Sequence, residues 1–140
     1  MKDFLLFLYV GMLCSGCAFL PRPSADTISV ADAEQILEQA ETFAQAGDAQ
    51  GLCSMTSVPR WCERELDAVG GIATAPIESP QIVDSYIQPD EGNVVGYRVL
   101  VLEGEDATGT SYRTEFRVLY RDRQLIPPFP VYWSGAEFDD

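Results

Sequence analysis

Two rhythms of apolar and polar residues run along this chain, and they change near residue 80. Before it, Val30, Ala33, Ile36, Leu37, Ala40, Phe43 and Ala44 recur at helical spacing with one buried face. Ser29 with Asp32 three residues on has the capping-box pattern. Gly47 supplies a left-handed stop. Asp48 can cap a short second helix over Ala49–Met55. Pro59 suits the first turn of a third helix, which Gly70-Gly71 ends, with Cys62, Leu66 and Val69 on one face.

From Pro80 the pattern is that of strands. Gln81–Ile87 is rich in strand formers, and Pro89-Asp90-Glu91-Gly92-Asn93 is a turn. Val94–Glu103 is too apolar for a strand that is wet on one side. A turn at Glu105–Gly109 follows. Tyr112, Thr114, Phe116, Val118 and Tyr120 then alternate with Arg113, Glu115, Arg117, Leu119 and Arg121, a period of two with one apolar face. The chain turns again at Arg121–Gln124. Pro127, Pro128 and Pro130 break the last segment, Leu125–Trp133, so it belongs on an edge or bends sharply. Helices first and antiparallel strands after predict an α+β domain, its N-terminal helices packed on a curved sheet of about four strands.

The first twenty residues differ from both rhythms. Lys2, its charge diluted by Asp3, precedes ten apolar residues, Phe4–Leu13, the length of a secretory h-region. Ser15-Gly16-Cys17 then resembles the lipobox of bacterial lipoproteins, with Cys14 where a leucine is usual. The resemblance implies cleavage before Cys17 and lipid attachment to its sulfur. Two other readings stay open: an uncleaved anchor over Phe4–Leu20, and a plain secretory signal. All three export the domain. The expected organisation is a signal peptide at 1–16, a flexible tether at 17–28 and one domain at 29–140 with an acidic tail. The expected location is the cell membrane or the outer membrane, with the domain outside the cytoplasm.

Composition narrows the chemistry. The 140 residues include 22 acids, 9 bases and no histidine, for a net charge of -13. That excludes nucleic acid as a partner, because phosphate binding needs clustered cations. The only lysine is Lys2, so Ser/His and Cys/His nucleophiles are excluded and Ser/Lys has no base in the domain. No cofactor or metal is expected. Cys53 and Cys62, in an oxidising compartment and nine positions apart, point to a disulfide; a redox pair and a zinc site are the alternatives.

The order of elements over residues 29–133 resembles the NTF2-like cone, and a cystatin-like arrangement fits as well. The NTF2 resemblance implies ligand binding, interaction or, in some members, catalysis. A catalytic version needs a buried carboxylate among Asp84, Glu103 and Glu115, facing Tyr86, Tyr97 or Tyr112 inside a cone. The stripe Arg113, Arg117 and Arg121 can meet an anionic partner or pair with nearby acids on the wet face. Glu103-Gly104-Glu105-Asp106 is either a calcium ligand set or a charged turn. Phe129, Tyr132 and Trp133 are either a binding edge or the closure of the core. The expected binding surface is Phe129, Tyr132, Trp133, Arg113 and Arg117. The expected function is a non-catalytic, lipid-anchored module that binds an envelope protein or a small ligand. An NTF2-like enzyme and a purely structural envelope component are the alternatives.

Overall fold

The computed structural model of the chain describes residues 22–134. Three helices, α1 (Val30–Gln45), α2 (Ala49–Ser54) and α3 (Pro59–Ala68), precede four strands, β1 (Gln81–Gln88), β2 (Tyr97–Glu105), β3 (Ser111–Arg121) and β4 (Gln124–Ile126). The strands form one antiparallel sheet in the order β1-β2-β3-β4. The α+β class is as the patterning predicts.

Local chemistry sets the ends of the helices. The Ser29 hydroxyl accepts the Asp32 amide, and the Asp32 carboxylate accepts the Ser29 amide, each at 3.0 Å. The Ser29 hydroxyl, which donates to the Asp32 carboxylate at 2.7 Å, and then the Ser29 amide hold that carboxyl below the usual carboxylate range. Gly47, at φ +70°, takes the chain out of α1. Asp48 accepts the Gly51 amide at 2.8 Å and starts α2. Cys53 and Cys62 are bonded, and both are buried. Their disulfide ties α2 to α3.

The core lies between the helices and one face of the sheet. Ala33, Ile36, Leu37, Ala40 and Ala44 of α1 face Leu100 and Leu102 of β2 and Phe116 and Val118 of β3 within one buried cluster. β2 is buried on both faces, as its composition requires. In the register, Val99 lies between Tyr86 and Arg117, and Val101 lies between Asp84 and Glu115. On the core side, Gly104 leaves room for the Tyr112 ring: a Cβ there would sit 2.6 Å from the Tyr112 hydroxyl.

Three boundaries differ from the sequence reading. Residues 25–28, assigned to the tether, are structured: Ala25–Thr27 is a 3-10 turn, Ile28 is fully buried, and its carbonyl accepts Arg98 Nε at 3.0 Å. The second strand starts at Tyr97 rather than Val94. Glu91 and Val94 exchange backbone bonds in a tight turn, and the Gly96 amide donates to Asp90, so 91–96 is held as a loop. The last segment pairs only over Gln124–Ile126, because Pro127, Pro128 and Pro130 cannot donate to a ladder. The turn before it has Asp122 at φ 48° and Arg123 at φ 66°, the geometry of a two-residue hairpin. No helix among the described residues is long and apolar enough to cross a membrane. The lipobox at Cys17, the remainder of the signal and the tail at 137–140 lie outside the described residues.

Candidate functional site

The sheet face turned away from the helices carries a connected polar cluster. Strand alternation places Glu115 and Arg117 of β3 on that face, beside Tyr86 of β1 across Val99. The Tyr86 hydroxyl donates to Glu115 Oε1 at 2.6 Å. Arg117 donates from Nη2 to Glu115 Oε2 at 3.0 Å. The Arg117 guanidinium also lies 4.8 Å from the centre of the Tyr97 ring, a cation–π contact. These contacts hold three strands' side chains in one arrangement.

The electrostatics fix the protonation states. Partial burial pushes the Glu115 carboxyl up, but the bonds from Tyr86 and Arg117 and the Arg117 charge outweigh it, and the net shift is down. Burial first, then the hydrogen bond to Glu115 and its charge, push Tyr86 up to about 12. At neutral pH Glu115 is a carboxylate acceptor and Tyr86 is a neutral donor.

Beside this cluster is a small apolar pocket. Its volume is about 200 Å³, and Trp61, Glu115, Arg117, Pro128 and Phe129 line it. The Trp61 and Phe129 rings are 5.4 Å apart and tilted by 52°. The Thr56 hydroxyl donates to the Pro128 carbonyl at 3.0 Å, which secures the proline-rich segment to the α2–α3 loop. The pocket is therefore apolar in its walls and charged at one side. It is smaller than typical small-molecule pockets, which run from roughly 300 to 1,000 Å³. One or two amino-acid side chains would fill it.

The chain matches no protein-family model, no curated protein and no solved structure.

Of the residues the sequence nominated, the structure brings Arg117 and Phe129 together in this pocket. Tyr132 and Trp133 are elsewhere. They are 1% and 4% exposed, their rings meet edge to face at 5.1 Å, and they close the core. The Trp133 indole donates to the Thr74 hydroxyl at 2.9 Å. Tyr132 lies wholly within the core, so the expected surface is corrected at that position. Trp133 keeps an edge on a second cavity of about 340 Å³, which it lines with Arg113, apart from Phe129 and Arg117. Arg113 is paired with Glu103 and mostly exposed, outside the pocket. Arg121 donates to the Ser57 hydroxyl at 2.9 Å. The arginine stripe is thus occupied largely by acids and a hydroxyl.

Asp84, Glu103 and Glu115 all lie on the face away from the helices. Tyr112 points to the other face and is buried in the core, so no carboxylate of this set shares a cavity with it. Its hydroxyl is pushed up to about 12 by burial and by the charges of Glu41 and Asp106. In the turn after β2, the Asp106 carboxylate accepts the Thr108 and Thr110 amides at 2.8 and 3.0 Å and the Thr108 hydroxyl at 2.6 Å. The charged-turn reading of 103–106 describes it. Among the described residues no cluster of carboxylate and thiol groups is placed to hold a metal ion.

Sequence reasoning missed Trp61 and the role of Pro128. Trp61 sits beside Cys62 on α3, off the Cys62–Leu66 face. A large aromatic just outside a helix's buried stripe was the available sign that something packs there.

Proposed function

We propose that this chain is an exported, lipid-anchored envelope protein whose α+β domain is a non-catalytic module that binds a partner protein. The anchor reading rests on the Phe4–Leu13 run and the Ser15-Gly16-Cys17 lipobox resemblance. The binding reading rests on one observation: an apolar pocket of about 200 Å³, walled by Trp61, Pro128 and Phe129 and bordered by Arg117 and Glu115. Aromatics and arginine at the centre of a small pocket are the composition of protein–protein anchor sites. Its size selects a side chain over a cofactor or metabolite.

The same geometry disfavours acid–base catalysis. A general acid or base works best with a pKa near the working pH. Tyr86 and Glu115 are displaced in opposite directions, away from neutrality. Each stays in one protonation state and serves recognition.

Two measurements test the reading. The intact mass of the protein from its native membrane should match a chain starting at Cys17 with diacylglycerol attached. An unprocessed or unlipidated mass removes the anchor. A photo-crosslinking phenylalanine at position 128, activated in the intact envelope, should give one discrete protein adduct that Arg117→Glu abolishes. Adducts insensitive to that change, or turnover of a substrate by the purified protein, would remove the binding reading.

A further inference from the structure

The free edge of the sheet lies away from the pocket and presents a different surface. β1 is paired only with β2, and its other edge makes no backbone hydrogen bond to any described residue. A bulge falls between Ile82 and Asp84, after which residues 84–88 run in unbroken register. β1 contains neither proline nor lysine, two common devices for blunting an edge strand. Three of the six exposed large hydrophobics lie here: Ile77, 81% exposed, with Ile82 and Val83; a fourth, Tyr86, belongs to the cluster around Glu115. An open edge flanked by apolar side chains is the receiving half of strand addition, where main-chain bonds give affinity and alternate side chains give specificity.

Charge selects the occupant. Between Arg64 and Arg98 there is no basic residue, while Glu65, Asp67, Glu78, Asp84, Asp90 and Glu91 are acidic. At the start of β1 an open groove of about 570 Å³ is lined by Ile77, Glu78, Ser79, Glu103, Glu105 and Asp106 among others, with no cation in its wall. The nearest counter-charge is Arg113, paired with Glu103. A second copy of the chain would bring the same acids, and a net charge of -13, against this edge. Like charges there are unfavourable, and opposite charges favour association.

We propose that the free edge of β1 docks an extended segment of a partner protein with alternating apolar and basic residues, its cations directed to the acidic groove. The apolar side chains would meet Ile82 and Val83, and the backbone would continue the ladder along 84–88.

The probe is a blocked hexapeptide of alternating lysine and valine, with a glutamate–valine hexapeptide as the charge control. The protein is the full chain, isotope-labelled and held in dodecylmaltoside micelles, read by amide hydrogen exchange. The lysine peptide should slow exchange of the amides within 84–88 that do not bond to β2 by at least about tenfold and leave β3 unchanged. Raising salt from about 0.05 to about 0.5 M should weaken binding by roughly tenfold or more, as screening demands. Val83→Lys should weaken it by about tenfold more than Val83→Glu does, since both lose the apolar contact and only the lysine repels the peptide's cations; equal loss in the two variants would overturn the role of charge. Equal binding of the glutamate peptide, or protection outside β1, would overturn the proposal. So would protection, without peptide, of those amides within 84–88 that do not bond to β2, meaning that another segment already occupies the edge, and so would self-association through β1. Crosslinking at position 128 reads a separate surface, so the two readings can fail independently.

Discussion

The Cys53–Cys62 bond allows a stability prediction with a worked magnitude. The bond closes a short loop, its ends nine residues apart, from the C-terminal end of α2 into α3. In the chain-entropy account, opening a loop of about ten residues returns freedom to the unfolded chain worth ~2.7 kcal/mol at 25 °C. The described domain has roughly 110 residues, for which the unfolding entropy near the midpoint is ~0.24 kcal/mol/K. The midpoint should therefore fall by roughly 11 °C on losing the bond. The assay is thermal unfolding of the full chain by circular dichroism, with and without a phosphine reductant. Reduction keeps both buried sulfurs in place, so it isolates the constraint. Cys53→Ala with Cys62→Ala removes packing as well and should cost more. A shift under about 3 °C on complete reduction would refute the loop-closure account, since the unfolded α2–α3 segment would then already be restrained.

Further outcomes follow from single contacts. Ser29→Ala removes the hydroxyl that accepts the Asp32 amide and should cost ~1 kcal/mol in urea unfolding, with no change expected only if the capping bond is not formed. Glu115 has a lowered pKa in the fold, so its stabilising contribution is complete above its ordinary 4.5 and is lost as pH falls through the lower folded value. Glu115→Gln should be the less stable protein at pH 7, and the gap should close as the pH falls below 4.5 and through the lower folded value; a gap that widens on acidification would contradict the Tyr86–Glu115–Arg117 arrangement. The Tyr132 hydroxyl is buried and has no hydrogen-bond partner among the described residues. Tyr132→Phe should therefore change stability by less than ~0.5 kcal/mol, and a loss above ~1.5 kcal/mol would mean the hydroxyl is bonded.

Much of the fold was legible because it depends on neighbours in sequence. Helical spacing in Val30–Ala44, the Ser29–Asp32 box, the proline at the start of α3 and the period of two in β3 are local patterns, and each is realised at those residues. The paired cysteines were readable too, from their spacing and the expected compartment. The tether boundary was not. Ile28 sits among tether-like residues, yet it is fully buried because the carbonyl and side chain meet Arg98 and the sheet, seventy residues away. The start of β2 was misplaced for a related reason: the Asp90–Gly96 bond and the Glu91–Val94 exchange take apolar Val94 and Val95 out of the ladder.

The candidate site divides in the same way. Composition alone removed histidine chemistry, because the chain holds no histidine. Alternation along β3 put Glu115 and Arg117 on one face, but only the sheet register brought Tyr86 to them. Only the packing of the proline-broken C-terminal segment put Phe129 at a pocket with Trp61, Trp133 at a separate cavity with Arg113, and Tyr132 wholly in the core. Periodicity reports which side of its own strand or helix a residue faces. What covers that side depends on contacts between distant segments, and in this chain those contacts decide which buried aromatics also line a pocket and which only fill the core.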